Sequence, residues 1–492
     1  MPGVIVTTGT RTGPSGNGIA TGEVFFMAAE CERGIDSEAV LVTSLAEFVT
    51  AFGGYVSATK YAYQQARVFF EEGGSAMYVA NTAGSGVRAT VALTAEPSAP
   101  GVTLTAVGAG TWGNLIKVAV VNNDTDATIS VYYNGETDAE LLFTYTGNCQ
   151  EIVDAVNNST VLANYCTAAL TTSAVGTSIL STTVTIAAPS NGTYVAATST
   201  QRTAALALFT PDLGPGAVAV PGLYDGTDTD EYDAILAHCV ANKRIGLVSF
   251  APTASVSAAR GVSTAYKATD QTGQEHLAFY YPNVVIPSGT GVNLSVPPEA
   301  YVAAVRARTI KTSGPWRAYA GVVSESRFVT GLATSVSRAN GDLLDADRIN
   351  AIRIINGSVR IYGARSHSTV TSQWRFITNR DTMNYVVFKA EESLEPLVFS
   401  GIDGRGGVYL AIRSALQGVL EPIRQAGGFF EMFDTQGRKV DSGYTITVDD
   451  SLNPLAQLET GLIKARVGVR VSSVGDKIDV SIIKSNLTST LV

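Results

Sequence analysis

Apolar residues in this chain alternate between a strand rhythm and a helix rhythm. Val24 to Ala29 (VFFMAA) is an unbroken apolar run of the buried-strand kind. Ser44 and Glu47 stand at capping-box spacing and open a short helix that stops at Gly53. A second helix over about 58–72 puts Ala62, Ala66, Phe69 and Phe70 on one face and ends at Gly73-Gly74. Ala76 to Ala80 (AMYVA) is again a strand. This β-α-α-β order predicts a parallel sheet.

From 97 to 204 the rhythm changes to short strands rich in Thr and Ala. Leu115–Val121, Thr128–Tyr133 and Thr182–Ala187 are strands, Asn134-Gly135 and Asn191-Gly192 are turns, and Cys149–Asn157 is one short helix. The pattern predicts a β-rich domain, barrel or sandwich-like, inserted into the sheet domain. The α/β rhythm then resumes. Ala217–Pro221, Ile245–Phe250 and Leu277–Ile286 read as strands, Thr229–Ala241 and Ser255–Ala268 as helices, and Pro297-Pro298 opens another helix.

Beyond 345 the spacing predicts a hairpin, Ala351–Ile355 with Ser358–Tyr362, turned by Asn356-Gly357. A helical stretch over Trp374–Glu392 follows, then a long helix over Val408–Ala426 with Ile412, Ala415, Leu416, Val419 and Ile423 on one stripe and Gly427 as its cap. Tyr444–Val448 and Gly461–Val471 are strands. Two further strands have no local partner: Val4 to Thr8 in the glycine-rich opening, and Lys477 to Lys484 (KIDVSIIK). The fold class is therefore a multidomain α/β (α+β) protein. It has an arm (1–22), a mixed-sheet domain in two parts (23–96 and 205–345), the insertion (97–204), a carboxy-terminal α+β domain (346–476) and a second arm (477–492).

Composition narrows the function. Charged residues are 16% of the 492, hydrophobic ones 45%, and 48 are glycine, so much of the surface is weakly polar and suited to burial against other copies. A formal net charge of -9 argues against binding a phosphate backbone. Cys31, Cys149, Cys166 and Cys239 form no CxxC pair and read as buried free thiols. No secretory signal opens the chain and no window reaches the apolar length of a membrane span.

Nothing local advertises catalysis, a cofactor or a metal. Gly108, Gly110 and Gly113 match GxGxxG, yet a strand follows them where a dinucleotide site needs a helix. Asp225, Asp228, Asp230, Glu231 and Asp233 lack the order of a calcium loop and suit a helix amino terminus. His238, His276 and His367 are far apart in sequence. Arg306, Arg308, Lys311 and Arg317 near Trp316 read as a solvated helix face or a contact to an acidic neighbour.

Taken in order, several motifs resemble one family. The Pro-Gly-Val opening, Ser44 to Phe48 with Phe52-Gly53, Phe69-Phe70-Glu-Glu-Gly73-Gly74, Gly113-Asn114, Gly222-Leu-Tyr-Asp225-Gly226, Asn350 to Arg353, Gly363 to Ser366, and Trp374 to Ile377 with Arg380 are similar to the tail sheath proteins of contractile phages and related injection systems. Tyr362 stands where the family usually has Trp, and Val398 to Gly401 replaces its usual FEPN. The resemblance implies a non-enzymatic subunit of stacked hexameric rings around a tail tube. Its partners would be further copies of itself, the tube protein, and baseplate and terminator proteins, without cofactor, direct nucleic acid contact or membrane insertion. It implies a particle assembled in the bacterial cytoplasm.

The resemblance also implies inter-subunit arm strands at Val4, Ile5, Val6 and Thr7 and at Ile478, Val480, Ile482 and Ile483. The tube-facing candidates are Arg375, Arg380, Lys389 and Arg413. A non-contractile surface protein of adhesin type, and an α/β enzyme with a polar pocket at the sheet's carboxyl ends, are the competing readings.

Overall fold

The computed structural model describes residues 23–82, 84–95, 99–123, 125–171, 180, 184–187, 191–224, 230–269, 272–288, 292–369, 373–402 and 404–476. Both predicted arms, with Val4, Ile5, Val6, Thr7, Ile478, Val480, Ile482 and Ile483, lie outside these residues, as do Asp225 and Asp228.

An eight-stranded sheet organises the molecule. Its spatial order is Ser358–Tyr362, Ile349–Ile355, Leu277–Tyr281, Ile245–Val248, Ala217–Ala219, Phe25–Ala29, Met77–Asn81 and Val40–Val42. The six inner strands run parallel and each edge strand is antiparallel to its neighbour. Successive strand residues face opposite sides, so Phe25 and Met27 enter one core while Phe26 and Ala28 enter another. A strand covered on both faces must be apolar at every position, which is why VFFMAA shows no alternation.

The first core is closed by helix Ala62–Glu71 and by helix Glu299–Ser313, in which Ala300 to Val305 are all buried. Helices Asp230–Asn242 and Val256–Ala268 supply Tyr232, Ile235, Leu236, Ala259 and Tyr266 to the second. At about 2 kcal/mol per fully buried aromatic side chain, truncating Phe25 to alanine would cost on the order of 3–5 kcal/mol once the cavity is counted.

Several elements differ from the sequence reading for identifiable reasons. Helix Ala62–Glu71 starts later than 58, because Ser57 forms a local turn, its hydroxyl accepting from the Lys60 N–H at 3.3 Å. Glu47 does not close a box on Ser44: its carboxylate reaches back to the Thr43 N–H at 2.7 Å, while Ser44 alone caps the helix. The strand predicted over Leu277–Ile286 breaks at Pro282, which has no N–H for a ladder, and Val284–Pro287 joins a separate small sheet. The hairpin turned by Asn356-Gly357 pairs through Phe279 and Ile349 with the central sheet and not with the carboxy-terminal elements grouped with it in sequence.

The insertion has a three-stranded sheet (Thr90–Ala95, Ala99–Ala106, Cys166–Leu170) and a four-stranded one (Val184–Ala187, Ile116–Asn122, Ala127–Tyr133, Leu141–Gly147). Helix Cys149–Asn158, opened by a capping box between Asn148 and Glu151, packs Ile152 and Val156 into their shared core. Val87 and Thr193 exchange two backbone hydrogen bonds of 3.1 Å where the chain enters and leaves. The insertion therefore begins before 97 and closes before 204. The GxGxxG stretch is a turn leading into strand Ile116–Asn122, with Trp112 folded against Gly110.

All four cysteines are buried and unpaired. Burial pushes the Cys166 and Cys239 thiols up to about 12, so they stay protonated and inert.

Candidate assembly surfaces

Helix Ile377–Leu394 bridges the central domain and the carboxy-terminal elements. Its first turns bury Ile377, Thr378, Asp381 and Thr382 against the central domain, while Ala390 and Leu394 pack beside helix Gly407–Gln425. Asp381 receives the Arg306 guanidinium at two points, 2.7 and 2.5 Å. Burial works against the charge on Arg306, but Asp381 more than offsets this and raises its pKa overall. Arg380 meets Glu275 at 3.7 Å, and Glu391 pairs with Lys243.

Helix Gly407–Gln425 turns Ile412, Leu416, Leu420 and Ile423 inward, close to the predicted stripe. Strand Tyr444–Thr447 lies on it and pairs with Arg466–Val469, which is shorter than the predicted Gly461–Val471. Among the described residues this is a sheet of two strands only. The N–H of Arg470 donates to Gly443 at 2.7 Å, so by the two-residue alternation of a strand the N–H groups of Val467 and Val469 point to the free edge. Beside that edge lies an apolar cavity of about 240 Å³ between the two helices, lined by Met383, Val387, Ala390, Leu416, Val419 and Val467 among others. An open strand edge next to an apolar groove is the arrangement that accepts an added strand with side-chain pockets.

Each of the four tube-facing candidates has a partner within the chain. Arg375 stacks over Phe376 at 4.5 Å and pairs with Asp476 at 3.1 Å. Arg380 lies over the Trp374 ring at 4.7 Å and donates to Asn384 at 3.1 Å, and burial lowers its pKa despite Glu275. Lys389 pairs within its own helix with Glu392 at 2.7 Å, and Arg413 donates to the Val448 carbonyl at 3.2 Å. Arg380 is thus largely covered, Arg375 and Lys389 are paired but each about a third exposed, and Arg413 is exposed.

The basic cluster read as a solvated face or a contact to an acidic neighbour is split: Lys311 and Arg317 are exposed, while Arg306 and Arg308 turn to partners within the chain. Arg306 is buried in its pair with Asp381, and Arg308 donates to Glu72. Glu72 is itself a buried organiser. Its carboxylate accepts the backbone N–H groups of Arg327, Phe328 and Val329 at 2.8–3.0 Å. No sequence signal marks either arrangement, since the partners lie 75 and about 255 residues apart.

At the carboxyl ends of the parallel strands sits a polar cluster. Ser249 bonds Glu299, with Tyr224 and Asn283 beside them. Ser249 is 1% exposed and Glu299 2%, while Tyr224 is partly exposed. Burial pushes the Glu299 carboxyl up to about 7, with the Ser249 hydrogen bond acting in the opposite sense. Among the described residues, no group of three or more His, Cys, Asp or Glu is arranged to hold a metal ion, and no helix is long and apolar enough to cross a membrane.

No family model and no curated protein matches the chain. Solved structures do. A sheath tail protein of Listeria innocua superposes with a TM-score of 0.62 at 14% identity over 88% of this chain and 89% of that one. A chain of the anti-feeding prophage baseplate gives 0.54 at 16% identity over 99% of both chains. The contracted sheath of an extracellular contractile injection system gives 0.55 at 14% identity over 99% of this chain and 98% of that one. The fold is that of contractile sheath proteins, and the likeness extends over most of the chain.

Proposed function

We propose that this chain, with the fold of contractile sheath subunits, is itself a structural subunit of such a sheath: it polymerises as stacked hexameric rings around a tail tube and contracts to drive that tube through a target envelope. The observation that carries the reading is the likeness to sheath structures over 88–99% of the chain. The open edge of Arg466–Val469 beside an apolar groove adds to it.

In this reading the segments around Val4 to Thr7 and Ile478 to Ile483 of neighbouring copies add as strands to that edge. At about 1 kcal/mol net per backbone hydrogen bond, a five-residue arm contributes on the order of 5 kcal/mol, repeated in every subunit. The domains then rotate past one another while the tethers hold. Contraction is a switch between two packings of nearly rigid subunits, with no catalytic step and no nucleotide. The tube, baseplate and terminator proteins are its partners within the particle, and Arg375, Arg380, Lys389 and Arg413 are the candidates to face the tube.

The test is expression of the chain alone and with its tube protein, followed by negative-stain electron microscopy. Striated hollow tubes support the reading. Monomers under both conditions overturn it in favour of a non-contractile surface protein.

A further inference from the structure

Asp476 is the last described residue before the alternating KIDVSIIK stretch, and it does not hang free. Its carboxylate meets Arg365 at 2.9 Å and Arg375 at 3.1 Å. Both arginines are built into the central domain's edge. Arg365 is 7% exposed and holds Asp345 at 2.7 and 3.0 Å; its backbone N–H and carbonyl are clamped by the Asn350 side chain at 2.6 and 2.9 Å. Both guanidinium groups lie over the Phe376 ring, that of Arg365 at 5.3 Å and that of Arg375 at 4.5 Å from its centre. Arg365 and Phe376 face each other in a β-bridge, so both arginines are presented from adjacent backbone strands. The previous hold on the chain is Ser472, whose N–H and hydroxyl bond the carbonyls of Gly428 and Gly427.

We propose that Arg365 and Arg375 form a latch for Asp476 that sets the length of the carboxy-terminal arm. With the latch closed, the arm is counted from 477. With it open, the free chain begins after Ser472 and gains residues 473–476, roughly 13 Å. Asp476 and Arg375 are each about a third exposed, so the contact is releasable and screened by salt, whereas the buried Asn350 side chain, bonded to the Arg365 N–H and carbonyl, keeps the receptor in place when the latch opens. The latch thus supplies slack when neighbouring subunits move apart. Its geometry stands by itself; its consequence in an assembly rests on the sheath reading.

Two readouts test it. A spin label at Ser473 in the isolated chain should be immobilised in the wild type and several-fold more mobile in Asp476→Asn and in Arg375→Ala, with about 0.5 M salt moving the wild type toward the variants. Equal mobility in all three overturns the latch. In assemblies, the pair Arg375→Cys with Asp476→Cys, joined through mixed disulfides by a reducible bis-methanethiosulfonate linker that spans the reach of the lost arginine (the oxidised state), should not convert from long tubes to short ones and should regain conversion on reduction. The four native cysteines are buried and do not compete. Conversion of oxidised tubes at the wild-type rate overturns the slack role. Failure of the wild type to form tubes counts against the sheath reading alone, because label mobility still decides the latch.

Discussion

Arg306 and Asp381 face each other in a bidentate ion pair, with side chains 1% and 4% exposed, across the boundary between the central domain and the bridging helix Ile377–Leu394. A pair this deep is costly to form but far costlier to break, because either partner left alone is an uncompensated buried charge. Arg306→Ala and Asp381→Asn should each lower unfolding free energy by about 3–5 kcal/mol, and the double change to Met and Leu should recover most of that loss. Urea titration of the three variants checks this; single changes costing under about 1 kcal/mol would show that the pair does not hold the junction.

Glu72 binds a distant loop through three backbone N–H groups and Arg308. Hydrogen bonds to a charged acceptor contribute about 1.5–3 kcal/mol each in net terms, though not additively. Glu72→Gln keeps the volume and exchanges one acceptor oxygen for a donor that meets N–H groups. It should cost about 3 kcal/mol and expose the 325–329 amides to hydrogen exchange ahead of the central strands.

Glu299 sets a pH dependence whose sign follows from burial. Its carboxyl is raised from 4.5 to about 7 in the folded chain, so the folded state holds the proton more tightly than the unfolded state does. This group's contribution is fully present below about pH 4.5 and is lost as pH rises through 7. The swing is on the order of 3 kcal/mol. Glu299→Gln should therefore be more stable than the wild type at pH 8 and lose that advantage at pH 4.5, read as a crossing of the two curves of melting temperature against pH.

What the sequence makes legible here is local. VFFMAA announces a strand covered on both faces, and the Asn356-Gly357 turn is realised with both residues at positive φ, 53° and 82°. Partnership at a distance is not legible. The same hairpin docks on Phe279 in the central sheet, yet its apolar pattern would equally suit a sheet in the following domain. Arg306 on a helix next to other cations looks like a solvated face until the fold brings Asp381 to it. Glu72 is no more legible, because a charge pattern gives the sign of a group and not its partner, here the backbone of residues 327–329.

Strand addition at the edge of Arg466–Val469 yields the most discriminating prediction. The N–H groups of Arg466 and Gly468 share the side of the Arg470 N–H, which bonds Gly443, while that of Val467 points to the open edge. Proline lacks the donor and holds φ near −65°, which an edge strand tolerates. Val467→Pro should thus leave the two-stranded sheet and a melting temperature within a few degrees of the wild type, but abolish tube formation. Gly468→Pro removes a bond inside the pair and should lower the melting temperature itself. Deleting residues 1–12 or 477–492 should match Val467→Pro, giving folded monomers without tubes, because each removes one side of the same contact. Electron microscopy with circular dichroism melts separates these outcomes. Long tubes from Val467→Pro would mean that the arms dock elsewhere, and long tubes from both deletions would mean that the subunits are joined without strand exchange.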